Sequence, residues 1–214
     1  MGKRNYKILD KKSTFIDKTV TIGKDVIIYE NNRIEGNTVI GDGSIILPNC
    51  YIKNSVIGKN STINFSQLED AKVENDCYIG PFARLRPKAQ IKDGAKIGNF
   101  CEVKNATVGK NTKVSHLAYV GDADIGEDCN IGCGAIFVNY NGKNKQRTTI
   151  GDNVFVGSNC NIIAPVEIES NSYICAGTTV TNNVKEDDFV IGRVRQEIKE
   201  NREHEYLKKI VEKK

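Results

Sequence analysis

The sequence predicts an all-β solenoid, a prism wound from short parallel strands, and three observations carry that prediction. One aliphatic residue recurs every six positions, glycine commonly follows it, and a small residue stands four positions after it. The aliphatic series runs Ile16, Ile22, Ile28, Ile34, Ile40, Ile46 and Ile52, then Val73, Ile79, Leu85, Ile91, Ile97 and Val103. It continues through Val108, Val114, Val120, Ile125, Ile131 and Phe137, with occasional steps of five, such as Val103 to Val108, that read as one residue lost at a corner, and ends with Ile150, Val156, Ile162, Ile168, Ile174 and Val180. A helix turns about 100° per residue, so every sixth side chain would leave its face. A strand alternates with period two, so a step of six returns to the same side.

The small companions include Val26, Ser44, Ser61, Cys101, Thr112, Cys129, Val154 and Ser172. Positions i and i+4 share a side of a strand, so both point inward. Glycine directly after the aliphatic, as at Gly23, Gly41, Gly58 and Gly109, is expected to tolerate the tight or positive-φ geometry that sharp corners need. Three hexads, about 18 residues, make one coil, and neighbouring coils hydrogen-bond at strand spacing. Along the chain, residues 1–14 read as a polar N-terminal extension and 15–190 as the solenoid, with some nine coils. A step of thirteen from Phe137 to Ile150 ejects a projecting loop over residues 138–149. Residues 191–214 read as a charged C-terminal helix with Ile198, Tyr206, Leu207, Ile210 and Val211 as its sparse apolar positions.

Composition narrows the function. Thirty-one Lys and Arg against 27 Asp and Glu give a formal charge of +4, which argues against a nucleic-acid binder. No run approaches the ~18 apolar residues that span a bilayer, so no membrane insertion is expected. Seven cysteines without a secretion signal imply reduced thiols and a cytoplasmic location. Cys50, Cys77, Cys101, Cys129 and Cys160 fall at the inward i+4 position and read as small core residues. Cys129 and Cys133 lack further ligands at metal spacing, so no metal is expected.

Counting by coils exposes a site. His116, one of two histidines, lies two residues past the inward Val114 and should project outward. The other, His204, lies in the charged tail and reads as solvated. The same corner position is Cys133 one coil on, then Ser158, then Ala176, a column of small residues ~14 Å long. Two readings of the column stay open: a groove for an extended pantetheine arm, or the ordinary preference of corners for small residues. Arg86 and Lys104 each follow an inward aliphatic and stand eighteen residues apart, stacking two cations on adjacent coils. Like charges at strand spacing repel, so solvent must separate them or an anion must sit between them. A phosphate clamp is favoured, because Arg84 and the loop's Lys143, Lys145 and Arg147 add donors.

The hexad pattern resembles the left-handed parallel β-helix of hexapeptide-repeat acyltransferases, and the hand is taken from that resemblance. Several local motifs sharpen it: Gly80-Pro81-Phe82-Ala83-Arg84-Leu85-Arg86-Pro87, Ile97-Gly98-Asn99-Phe100, His116-Leu117-Ala118-Tyr119, Gly121-Asp122-Ala123, Asn139-Tyr140-Asn141-Gly142 and Ala176-Gly177-Thr178-Thr179-Val180. Together, in this order, they resemble the acetyltransferase domain of the bacterial bifunctional N-acetylglucosamine-1-phosphate uridyltransferase/glucosamine-1-phosphate acetyltransferases. The resemblance implies an acetyl-CoA-dependent N-acetyltransferase acting on glucosamine 1-phosphate, in UDP-N-acetylglucosamine and cell-envelope precursor synthesis. It implies His116 as general base, with Arg86 and Lys104 on the sugar phosphate and Tyr119, Asn130 and Lys145 on the sugar. It places Cys133, Asn139, Tyr140, Ser158, Ala176 and Arg193 along acetyl-CoA, and it implies a homotrimer with sites between subunits.

The sequence departs from the family pattern at Asn141, where an aspartate is usual, at Cys133 for alanine, and at Ala118 for threonine. No Gly-rich nucleotide-binding segment opens the chain, so uridylyl transfer and its magnesium are not expected. Another amino-sugar phosphate or a nucleotide sugar is the alternative acceptor, and a non-catalytic trimeric sugar-nucleotide-binding scaffold the alternative class.

Overall fold

The computed structural model describes residues 5–202. They form thirty strands of two to four residues, sorted by every third strand into parallel sheets of eleven, ten and nine strands. The three sheets are the sides of a left-handed β-helix. Register follows the hexads: Ile79, Ile97, Val114, Ile131, Val156 and Ile174 pair in sequence down one side. Leu85, Val103 and Val120 do the same on the next. All of these are buried, and the interior they fill is a stack of aliphatics with one ring, Phe137.

The i+4 residues do point inward, and their hydroxyls join the coils. Ser44 donates to the Gly58 carbonyl at 2.7 Å and accepts from the Ser61 amide at 3.2 Å. Thr112 repeats the arrangement with the Gly126 carbonyl at 2.7 Å and the Cys129 amide at 2.9 Å. Each buried hydroxyl thereby meets donors and acceptors that the bends leave unpaired. The inward i+4 cysteines, Cys50, Cys77, Cys101, Cys129 and Cys160, are free and buried, and burial pushes the Cys50 and Cys77 thiols up to about 11, which keeps them inert at neutral pH.

Three expectations are corrected. Positive φ at the corners belongs mainly to Asn and Asp three residues past the aliphatic, such as Asp25 at 57° and Asn111 at 55°. Their short polar chains tolerate the left-handed region. Glycine directly after the aliphatic answers the tight geometry instead: a Cβ on Gly109 would strike the Gly126 carbonyl of the next coil. Second, winding begins inside the segment read as an extension, because Lys7–Ile8 pairs with Ile27–Ile28 and Tyr6 and Ile8 pack on the core. Third, residues 191–202 are not helical, with Val194 and Ile198 exposed and no apolar face to bury. A short helix without a packing surface is marginal in water. The rest of the expected helix, with His204, lies outside the described residues.

Leu85 is fully buried between coils, and Leu85→Ala should cost about 2–5 kcal/mol. Chemical denaturation would read this as a clearly lowered midpoint; an unchanged midpoint would contradict the stacked interior.

Candidate active site

His116 ends one of the two longest strands, Lys113–His116, which lies beside the other, Lys96–Asn99. The two run together beyond the usual two or three residues because Gly98 has no Cβ to strike the Ser115 carbonyl. Asn99 therefore sits opposite His116, and its Oδ1 lies 2.7 Å from the imidazole Nδ1. The ring is exposed, as the coil count predicts. Cys133, Ser158 and Ala176 are also exposed, so the column of small residues is open to solvent. At its far end Arg193 folds back and donates to the Ala176 carbonyl at 2.9 Å.

Beyond His116 the chain turns a corner at Leu117 and Ala118 and enters the strand Tyr119–Gly121. The Tyr119 ring lies over Gly121, where any Cβ would collide with it. At the far end of this side, Arg86, Lys104 and Gly121 occupy matching positions on successive coils. The cations are not a bare repelling stack. Arg86 Nη1 meets Glu102 Oε1 at 2.8 Å, and Lys104 Nζ meets Asp122 Oδ2 at 3.4 Å. Lys145 descends from the loop onto Lys104, and the hydrogen-bonding contact with that ammonium, with the repulsion between them, holds Lys145 below the usual lysine range. Lys104, Asp122, Lys145 and Arg147 line a cavity of about 500 Å³.

Of two other expected donors, one is already paired and one stands apart. Arg147 is committed to the Asp124 carboxylate and to the Asn105 carbonyl at 3.0 Å. Arg84 lines a separate cavity with Phe65 and Phe82.

The loop is tied down from below. Asp122 is buried and accepts from Asn105 at 2.5 Å, from Lys104 and, in a short contact, from Asn139. Asn139 also reaches the Tyr119 hydroxyl at 3.4 Å, so its side chain supports the site from beneath. Above it, Asn141 Oδ1 accepts the Lys143 and Asn144 amides at 2.9 and 2.8 Å. An amide oxygen thus closes the turn that an aspartate would close. Tyr140 stays exposed, its hydroxyl donating to the Gly142 carbonyl at 2.7 Å. Asn130 stands apart, in the row Lys113, Asn130, Phe155 on the flat face before the His116 corner, lining a different cavity.

Sequence reasoning passed over Asn99, Glu102 and Asp122 as working residues. Asn99 was within reach of the counting that found Cys133, run one coil backward. Asp122 was not, because its role depends on where the loop folds.

Burial opposes the charge on Asp122, yet Asn105, Asn139 and the Lys104 ammonium together hold its carboxyl below the usual carboxylate range. A depressed folded-state pKa contributes stability that is full above the unfolded value and disappears as pH falls through the folded one. Asp122→Asn should therefore lower Tm at neutral pH and converge with the parent below about pH 4. A Tm difference that is the same at every pH would contradict the assignment.

An apolar ladder adjoins the histidine. Phe65 and Phe82 meet edge to face at 4.5 Å, Phe82 stacks on Phe100 at 5.2 Å, and Leu117 continues the row. All four are exposed and hold positive φ, an unusual conformation for bulky residues.

A family model described as "Bacterial transferase hexapeptide (six repeats)" matches residues 19–54, 70–105 and 147–182, about half of the chain. The chain is similar to the Bifunctional protein GlmU of Clostridium acetobutylicum, with 48% identity over 193 residues, 90% of this chain and 42% of that protein. The GlmU of Geobacillus sp. (strain WCH70) is 49% identical over 194 residues, 91% of this chain and again 42% of the relative. The chain thus spans well under half the length of these relatives. Among solved structures, a UDP-N-acetylglucosamine acyltransferase from Campylobacter jejuni superimposes with a TM-score of 0.54 at 17% identity, over 87% of this chain and 71% of that one, a likeness of fold.

Proposed function

The chain belongs to the bacterial transferase hexapeptide family, and we propose that it transfers the acetyl group of acetyl-CoA to the amine of glucosamine 1-phosphate. The observation that carries this reading is one exposed imidazole on an open rim, one corner away from a cavity where Lys104 and Lys145 crowd together beside Arg86. Crowded ammonium groups favour a dianionic phosphate, which would relieve their repulsion. The similarity to GlmU over nine-tenths of the chain supports the same activity.

In this reading Arg86, Lys104 and Lys145 hold the phosphate, and Tyr119 and Asn130 contact the sugar. Cys133, Ser158 and Ala176 line the pantetheine arm, with Asn139, Tyr140 and Arg193 at its flanks. The amine attacks the thioester carbonyl and His116 takes its proton, since an ammonium has no lone pair to attack with. Collapse of the tetrahedral intermediate breaks the C–S bond, and coenzyme A leaves with a proton while the acetamide remains. Holding donor and acceptor in line supplies much of the rate.

A threefold assembly is part of the proposal. Asn130 and the basic cavity lie on different faces of one chain, and a second copy across the corner would let both meet one sugar. The exposed Phe65, Phe82, Phe100 and Leu117 ladder is apolar surface suited to that contact. A cytoplasmic location and a place in UDP-N-acetylglucosamine supply for the cell envelope accompany this reading.

The test is thiol release from acetyl-CoA with glucosamine 1-phosphate, glucosamine 6-phosphate and glucosamine in parallel. Glucosamine 1-phosphate should give the highest kcat/KM. Preference for another phosphate would reassign the acceptor, and no release with any amine would favour a binding scaffold.

A further inference from the structure

An exposed neutral imidazole with no partner samples both tautomers, and water favours the one protonated at Nε2. That form would turn an N–H, rather than a lone pair, toward a substrate at Nε2. The side-chain partner of the His116 ring is Asn99, with Oδ1 at 2.7 Å from Nδ1. An amide oxygen can only accept, so this contact requires the proton on Nδ1. We infer that Asn99 is a positioning residue that fixes His116 as the Nδ1–H tautomer and leaves the Nε2 lone pair free to take a proton.

The geometry is held by backbone as well as side chain. Asn99 and His116 are paired in register at the ends of two four-residue strands, longer than the two or three residues of the others. The Leu117 amide donates to the Asn99 carbonyl at 2.9 Å, locking the corner directly after the imidazole. Gly98 admits the Ser115 carbonyl, so the two strands keep the close approach on which the contact depends. Asn99 orients the ring without adding a charge beside it. Its contribution to turnover, unlike the tautomer itself, rests on the acetyl-transfer reading.

The test uses the full chain labelled with ¹⁵N, with the imidazoles neutral and ring ¹⁵N–¹H correlations recorded. Only two histidines must be assigned, and His204 serves as the internal reference. His116 should show Nδ1 protonated in the parent and in Asn99→Asp, which keeps an acceptor oxygen. In Asn99→Leu the pattern should move to the Nε2–H form. Turnover of Asn99→Leu should fall about 10–100-fold in kcat with both KM values unchanged, and Asn99→Asp should recover most of it. An Nε2–H ring in the parent, or an unaltered ring pattern in Asn99→Leu, would overturn the inference. So would an altered tautomer with undiminished kcat. If the parent itself shows no acetyl transfer, the proposed function fails, while the ring spectra still decide whether Asn99 sets the tautomer.

Discussion

His116→Ala should lower kcat for acetyl transfer about a thousandfold while the protein keeps its Tm. The imidazole is exposed, and the hydrogen bond to Asn99 is the side-chain contact it would lose, so the fold has little invested in it. The inward neighbour Val114 carries the packing at this position, fully buried between Ile97 and Ile131. The chemistry, by contrast, depends on a base that stands where the amine's proton departs. KM for acetyl-CoA should change little, because in the proposed function the donor lies along Cys133, Ser158 and Ala176, away from the substituted ring. Steady-state thiol release checks this. Undiminished turnover would remove the general-base role.

Arg86→Ala should raise KM for glucosamine 1-phosphate by about 10–100-fold and leave KM for acetyl-CoA within about twofold. One charge-assisted hydrogen bond contributes about 1.5–3 kcal/mol, which sets that range. A second effect acts in the same direction. Arg86 is paired with Glu102 at 2.8 Å, so its removal leaves an unpaired carboxylate close to the incoming phosphate. The loss should vanish with unphosphorylated glucosamine as acceptor. Equal increases for both co-substrates, or an equal loss with the unphosphorylated sugar, would count against a phosphate clamp.

The prism was legible because its signal is redundant: each coil repeats an inward aliphatic and a small companion, so a single count locates sides and corners. The same count placed His116 outward and aligned it with Cys133, Ser158 and Ala176. It could not say which neighbour makes the corner tight after the aliphatic, since the cause at Gly109 is a carbonyl of the next coil, seventeen residues away. The partners of the basic residues were equally hidden. Glu102 lies two positions before Lys104 in sequence, yet it pairs with Arg86 of the preceding coil. Arg147 is taken by Asp124, and Asp122 gathers Lys104, Asn105 and Asn139 only because the loop folds back over it. Contacts within a column follow from period; contacts made by an ejected loop do not.

Register places His116 and the basic residues on either side of one corner, and in the proposed reaction this rim brings an amine to an activated acyl group. A crystal structure with coenzyme A and glucosamine 1-phosphate bound tests it most directly. The sugar amine should lie within hydrogen-bond reach of His116 Nε2, directly or through one water, with the pantetheine arm along Ser158 and Ala176 and the phosphate on Arg86 and Lys104. A coenzyme bound on another side of the prism, or an amine remote from the imidazole, would contradict the account.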